Sequence, residues 1–178
     1  MKYLVWLCVF MTSFALAEDD HHDDHHDDVT SLEAHEHGIG KMNIAQDKTK
    51  ILIEFELPGA DIVGFEHKAE TKEDIKNVKN AINILSQFEN LVRLPLDARC
   101  SIEHANADVL HEGNHGEFRS QYTLDCQNMS ELQSIELLYF EKFPNGKELH
   151  VSIVSDHKAE SLVAKKNSSR ISTTGYFD

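Results

Sequence analysis

The sequence is short of positive charge. It has 17 Lys and Arg against 31 Asp and Glu over 178 residues, a formal net charge of −14. Phosphate backbones and anionic lipid surfaces are both held through basic footprints, so neither nucleic acid nor an anionic membrane is expected as a partner. No apolar run reaches the ~20 residues that a membrane-spanning helix needs. There is no GxSxG elbow, P-loop, dinucleotide fingerprint or HExxH pair, which removes the commonest signatures of hydrolytic and nucleotide chemistry. Tryptophan occurs once, at Trp6. Phe and Tyr fall mostly at positions expected to be core, so no aromatic binding platform stands out. No internal repeat is evident.

What the chain does have is histidine, 12 residues of it, uncharged in the count above and available as neutral ligands near pH 7. Residues 1–17 read as a secretory signal peptide: Lys2, an apolar stretch from Leu4 to Met11, then Ala15-Leu16-Ala17. Residues 18–30 read as a disordered acidic tail. Within it, Glu18 to Asp28 is EDDHHDDHHDD, with no aliphatic residue to bury. His21, His22, His25 and His26 alternate there with carboxylates, a nitrogen and oxygen donor mixture suited to loose capture of ions such as Zn²⁺. The competing reading is a solvated acidic spacer.

Removing the leader removes Cys8 and leaves Cys100 and Cys126. Two cysteines in an oxidising compartment point to one disulfide, with a metal ligand or nucleophile as the alternative.

Residues 31–166 read as a single domain. Ile39–Gln46 and Thr49–Leu57 are expected strands about an Asp47-Lys48 turn. In the second, Ile51, Ile53, Phe55 and Leu57 alternate with Leu52, Glu54 and Glu56. Ala60–Phe65 is expected to be a short turn or helix. Thr71–Glu89 is the expected helix, with Thr71 and Asp74 as a capping box and Ile75, Val78, Ile82, Leu85 and Phe88 on one stripe. Strands are expected at Arg99–Ala105, with His104 on the face of Cys100, and at Glu117–Cys126. A polar loop, Asp108–Gly116, is expected between them. Further strands are expected at Ile135–Phe140, Leu149–Ser155 and Ala159–Lys165, and residues 167–178 read as a flexible C-terminus. The fold class is therefore α+β: a mainly antiparallel sheet with one long amphipathic helix packed on it and one disulfide.

Three histidine motifs lie inside the domain. His35-Glu36-His37 precedes the first strand, where residues two apart share a face and can chelate one ion. Glu66-His67 and His115-Gly116-Glu117 sit at element boundaries, where functional residues collect. A tight zinc site needs about three protein ligands, which these motifs together supply; singly, each is an ordinary surface histidine.

Along this path the sequence resembles the ZrgA-type zinc-uptake proteins of bacterial periplasms. The resemblance rests on His35-Glu36-His37-Gly38 through Asn43-Ile44-Ala45, on Val63-Gly64-Phe65-Glu66-His67, on His115-Gly116-Glu117-Phe118 with Tyr122 and Cys126, and on Phe140-Glu141-Lys142-Phe143-Pro144. It spans about Ser31 to Lys165. An acidic, His-rich stretch is typical of that family. The resemblance implies a periplasmic zinc-binding component working with an envelope transport system, with His35, His37, His67 and His115 as the ordered-site candidates. Expected partners are thus Zn²⁺ and a membrane transporter or receptor, with a homodimer as one way to complete a site. A zinc-dependent periplasmic hydrolase using Glu36 or Glu66 as base, and a metal-independent interaction domain, are the alternatives. Imidazole and carboxylate also suit Ni²⁺, Cu²⁺ and Co²⁺.

Overall fold

A computed structural model describes residues 37–177. The proposed signal peptide, the His/Asp tail and His35 lie outside the described residues. Alternation decides the first two strands. β1 (Ile39–Asp47) and β2 (Lys50–Pro58) pair antiparallel from Lys41↔Glu56 to Asp47↔Lys50. Met42, Ile44, Ile51, Ile53, Phe55 and Leu57 point to one face and are fully buried. Burying a side chain of that size stabilises the fold by roughly 1.5–3 kcal/mol each. Lys48 takes the left-handed conformation (φ 59°) in the tight turn between the strands.

The remaining elements follow in order: α1 (Gly59–Ile62), α2 (Lys72–Leu85), β3 (Val92–Arg93), β4 (Cys100–Glu112), β5 (His115–Cys126), β6 (Ser134–Leu137), α3 (Tyr139–Lys142), β7 (Glu148–Val154), β8 (Ala159–Lys165) and β9 (Arg170–Ser172). They make a six-stranded sheet in the order β4-β5-β2-β1-β7-β8 and a three-stranded sheet in the order β3-β6-β9. All strand pairs are antiparallel except β1 with β7. The protein is mostly β-sheet with few helices and carries the Cys100–Cys126 disulfide, which links directly opposed residues of β4 and β5. Ala34–Asp178 forms one compact unit. No helix of the described residues is long and apolar enough to cross a membrane.

The core gathers on the inner face of the large sheet. Phe55 meets the ring of Tyr122 edge-on at 6.4 Å and stacks against Tyr139, also at 6.4 Å. The Tyr122 hydroxyl donates to the Leu85 carbonyl at the end of α2, which locks the helix terminus to the sheet. Burial pushes that phenol up to about 12, so it remains a neutral donor at any physiological pH.

Several expectations change. The helix expected over residues 71–89 does open on the Thr71–Asp74 capping box, but it ends at Leu85. There Ser86 turns its hydroxyl onto the Ile82 carbonyl, and Phe88 begins a separate 3₁₀ turn. Only Ala81 and Leu85 of the helix are fully buried, and Ile75 is 40% exposed. The stripe therefore meets the core from Val78 onward, and Ile75 stands outside it. The expected loop over residues 108–116 is instead strand: β4 runs to Glu112 and turns back at Gly113-Asn114, with Val109 opposite Phe118. β4 is an edge strand with only Cys100, Ala107 and Val109 half-buried against the core, so its sequence shows little of the apolar alternation that marks a half-buried strand. A bulge between Ile102 and His104 shifts the register by one residue, which moves His104 to the face opposite Cys100. β6 stops at Leu137, and Tyr139–Lys142 is helical rather than extended. Residues 167–177 do not fray: β9 pairs with β6, and Ile171, Tyr176 and Phe177 are buried.

Candidate functional site

The end of the sheet where β1 starts, β2 ends and β5 starts is held together by glycine. After β2, α1 reverses the chain and the segment from Val63 to His67 returns across the strand ends. It lies so close that a Cβ on Gly59 would come within 2.7 Å of the Phe65 carbonyl oxygen and 2.8 Å of the Gly116 carbonyl oxygen. A Cβ on Gly116 would meet the Glu66 carbonyl oxygen at 2.8 Å. Main chain thus packs on main chain at both points, which only glycine permits.

The consequence is the placement of Glu66. Its carboxylate lies between two histidines that are remote in sequence. His115 Nδ1 donates to Glu66 Oε2 at 2.7 Å, and His37 Nε2 lies 3.3 Å from Glu66 Oε1. The Glu66 side chain is 13% exposed, while both imidazoles are 67% exposed. A nearly buried carboxylate flanked by two open imidazoles is a mixed oxygen and nitrogen donor set of the kind zinc takes. The 3.3 Å separation between His37 and Glu66 also matches the ligand–ligand edge of a tetrahedron with bonds of about 2.0–2.1 Å. The 2.7 Å separation at His115 is a direct hydrogen bond, shorter than that edge. Among the described residues, no group of three or more His, Cys, Asp and Glu is already arranged to hold a metal ion.

Asp61, on α1, braces the site from beneath. Both its carboxylate oxygens accept from the Gly38 amide, at 2.8 and 3.0 Å, and the residue is 4% exposed. Gly38 (φ +92°) also receives the Lys147 and Glu148 amides on its carbonyl. The residue after His37 is therefore tied to both α1 and β7. Burial raises the Asp61 carboxyl above its ordinary value, against the opposing pull of the Gly38 N–H and of nearby His37 and Lys147. A folded-state value above the unfolded one gives a contribution to stability that is present at low pH and lost as pH rises through the folded value. Asp61→Asn keeps an acceptor for Gly38 without the charge. Its melting temperature relative to wild type is expected to improve as pH is raised from 4 to 7. A difference that shrinks over that range would contradict the assignment.

The other candidates are dispersed. The His67 ring stacks on Phe65 at 4.6 Å and its Nδ1 donates to the Lys68 carbonyl; these contacts do not include the Glu66 carboxylate. His111 lies across the hairpin from Gly116, with Nε2 3.4 Å from where a Gly116 Cβ would stand. His104 and His150 are exposed on the outer face of the sheet, and His157 is in the turn after β7. His35, His21, His22, His25 and His26 are outside the described residues. The sequence motifs mark Glu66 only as a possible base, not as the hub of the cluster, and they leave out Asp61 altogether. Asp61 did carry a signal, being an acid set within the apolar stretch Ala60 to Val63.

No curated protein matches the chain. A protein family described as the ZrgA family zinc uptake protein matches residues 34–173, a stretch that includes both histidines, Glu66, Asp61 and every strand of the two sheets. That is a family of zinc uptake and not of enzymes, and the chain belongs to it.

Proposed function

We propose that this chain is a non-enzymatic periplasmic protein that captures Zn²⁺ and assists its uptake through an envelope transport system. The observation that carries this reading is the Glu66 carboxylate held between His37 and His115 in a zinc-uptake family. In this reading Zn²⁺ is the cargo, and His37, His115 and Glu66 hold it. His35, two residues before His37, is the fourth donor. His67, its ring stacked on Phe65, stays outside the coordination sphere. His21, His22, His25 and His26 of the acidic tail collect ions loosely and raise their local concentration. Open imidazoles suit a carrier, because a cargo ion has to enter and leave.

Zinc binds only to deprotonated imidazole, so loading is linked to pH. Affinity measured by competition with a chromogenic chelator is expected to be steady from pH 8 to 7. It should then fall as the solution is acidified towards pH 5, because protons compete with the ion for the imidazole nitrogens. Binding that stays tight down to pH 5 would exclude histidine ligation, and no binding tighter than that of a generic surface histidine would sink the function itself.

A further inference from the structure

The two edges of the large sheet are unlike each other. β8 is flanked by Lys158 and closed by Lys165, and the chain after it folds back through a Lys165↔Ser168 bridge. Lysine on an edge is a common means of blocking strand addition. β4, at the opposite edge, is the longest strand and contains no Lys, Arg or Pro. It pairs only with β5 among the described strands, and its residues 101–106 are exposed. Beyond the bulge at Glu103 its ladder is regular from His104 to Glu112.

That regular part begins with the sequence His104-Ala105-Asn106-Ala107-Asp108, which is self-complementary when run against itself antiparallel. We propose that β4 is a self-association edge, and that its occupant is a second copy of this chain paired antiparallel about a two-fold axis at Asn106. In this register Asn106 faces the partner's Asn106 and Ala105 faces the partner's Ala107. His104 faces the partner's Asp108, twice by symmetry. Opposed residues lie on the same face of a sheet, so each His–Asp pair meets on the outer face and each pair of small Ala side chains on the inner one. An imidazole N–H donates to a carboxylate in either protonation state of the ring, so the pairing does not depend on a charged histidine. Moving the axis by one residue sets His104 against the partner's Leu110, or Asp108 against the partner's Ile102, and both complementary pairs are lost. The result is an isologous contact that joins two six-stranded sheets into one. With only five residues pairing per chain, it is a weak, concentration-dependent dimer.

The test uses the leaderless full chain, metal-free, in sedimentation velocity up to sub-millimolar concentration. Wild type is expected to show a monomer–dimer equilibrium. Asp108→Lys is expected to weaken it roughly fivefold, because both cross-strand imidazole-to-carboxylate hydrogen bonds are lost. Adding His104→Glu to Asp108→Lys is expected to restore it. Asn106→Cys is expected to form an interchain disulfide across the axis, whereas Ser161→Cys on β8 is not. Circular dichroism and the Cys100–Cys126 disulfide, checked in each variant, separate loss of pairing from loss of fold. A chain that remains monomeric at every concentration would overturn the proposal. So would a dimer indifferent to Asp108→Lys whose Asn106→Cys form links no faster than Ser161→Cys.

Discussion

Glu66→Ala is expected to reduce zinc affinity by about 100-fold or more while leaving the fold almost untouched. The first part follows from position. Glu66 is the group that His37 and His115 share, and losing even an outer-shell partner of a metal ligand typically costs 10–100-fold. Losing a carboxylate that, in the proposed site, both holds the ion and sets the spacing of two imidazoles should be at the upper end or beyond. The second part follows from exposure. The two histidines are 67% exposed, so their interactions with Glu66 are largely solvated and are worth no more than about 1 kcal/mol to stability. Glu66→Gln sharpens the result. It keeps the size of the side chain and one acceptor oxygen but removes the charge, and is expected to bind more weakly than wild type and no more tightly than His115→Ala. Isothermal titration with zinc, beside thermal melts of the metal-free variants, checks both halves. Wild-type affinity in Glu66→Ala would remove the site; a large fall in melting temperature would recast Glu66 as a structural residue.

The second large effect reverses the order of damage. Gly116→Ala and Gly59→Ala are expected to harm stability first and zinc binding as a consequence. A Cβ at either position runs into backbone carbonyl oxygens at 2.7–2.8 Å, and backbone cannot rotate away as a side-chain tip can. The loop carrying Glu66 must move. Overpacking of this kind costs about 1–3 kcal/mol, with Gly59→Ala the worse because its Cβ meets two carbonyls rather than one. Displacing the loop also breaks the spacing of Glu66 from His115, and a fall in zinc affinity of about tenfold should accompany it. Gly175→Ala is the comparison. Gly175, unlike those two, has positive φ (+76°), and nothing lies within 4 Å of its Cβ position. It is expected to lose roughly 1–2 kcal/mol through backbone conformation alone, with zinc affinity unchanged. Denaturant melts and zinc titrations on the three variants distinguish the cases; equal affinity losses in all three would mean that Gly116 and Gly59 have no special bearing on the site.

The fold was legible where one face is wet and the other dry. β1, β2, β5 and β7 carry apolar alternation, broken at Leu52 and Ser120, and their expected bounds lie within a residue or two of those observed. The cysteines were legible from number and compartment alone. β4 was not legible beyond Ala105, because in that stretch only Ala107 and Val109 are half-buried, too few to mark a face. The C-terminal residues looked polar, yet three of their side chains, Ile171, Tyr176 and Phe177, are buried; so sparse a pattern cannot be told from a solvated tail. The helix boundary shifted because the apolar stripe continues through Phe88 while the backbone does not.

Residue types and their local spacing carry the candidate donor chemistry: histidines in short motifs, an acidic tail, a chain poor in positive charge, and the resemblance to a zinc-uptake family. Those are properties of residue type and local spacing, which survive without a fold. Which of these side chains meet depends on the fold. His37, Glu66 and His115 are brought together from separate parts of the chain because β1, β2 and β5 are neighbours in one sheet and three backbone segments touch at Gly59 and Gly116. His67, adjacent to Glu66 in sequence, turns its ring onto Phe65 instead. Contact between distant residues depends on strand order and loop path, and neither is written in the spacing of any one motif.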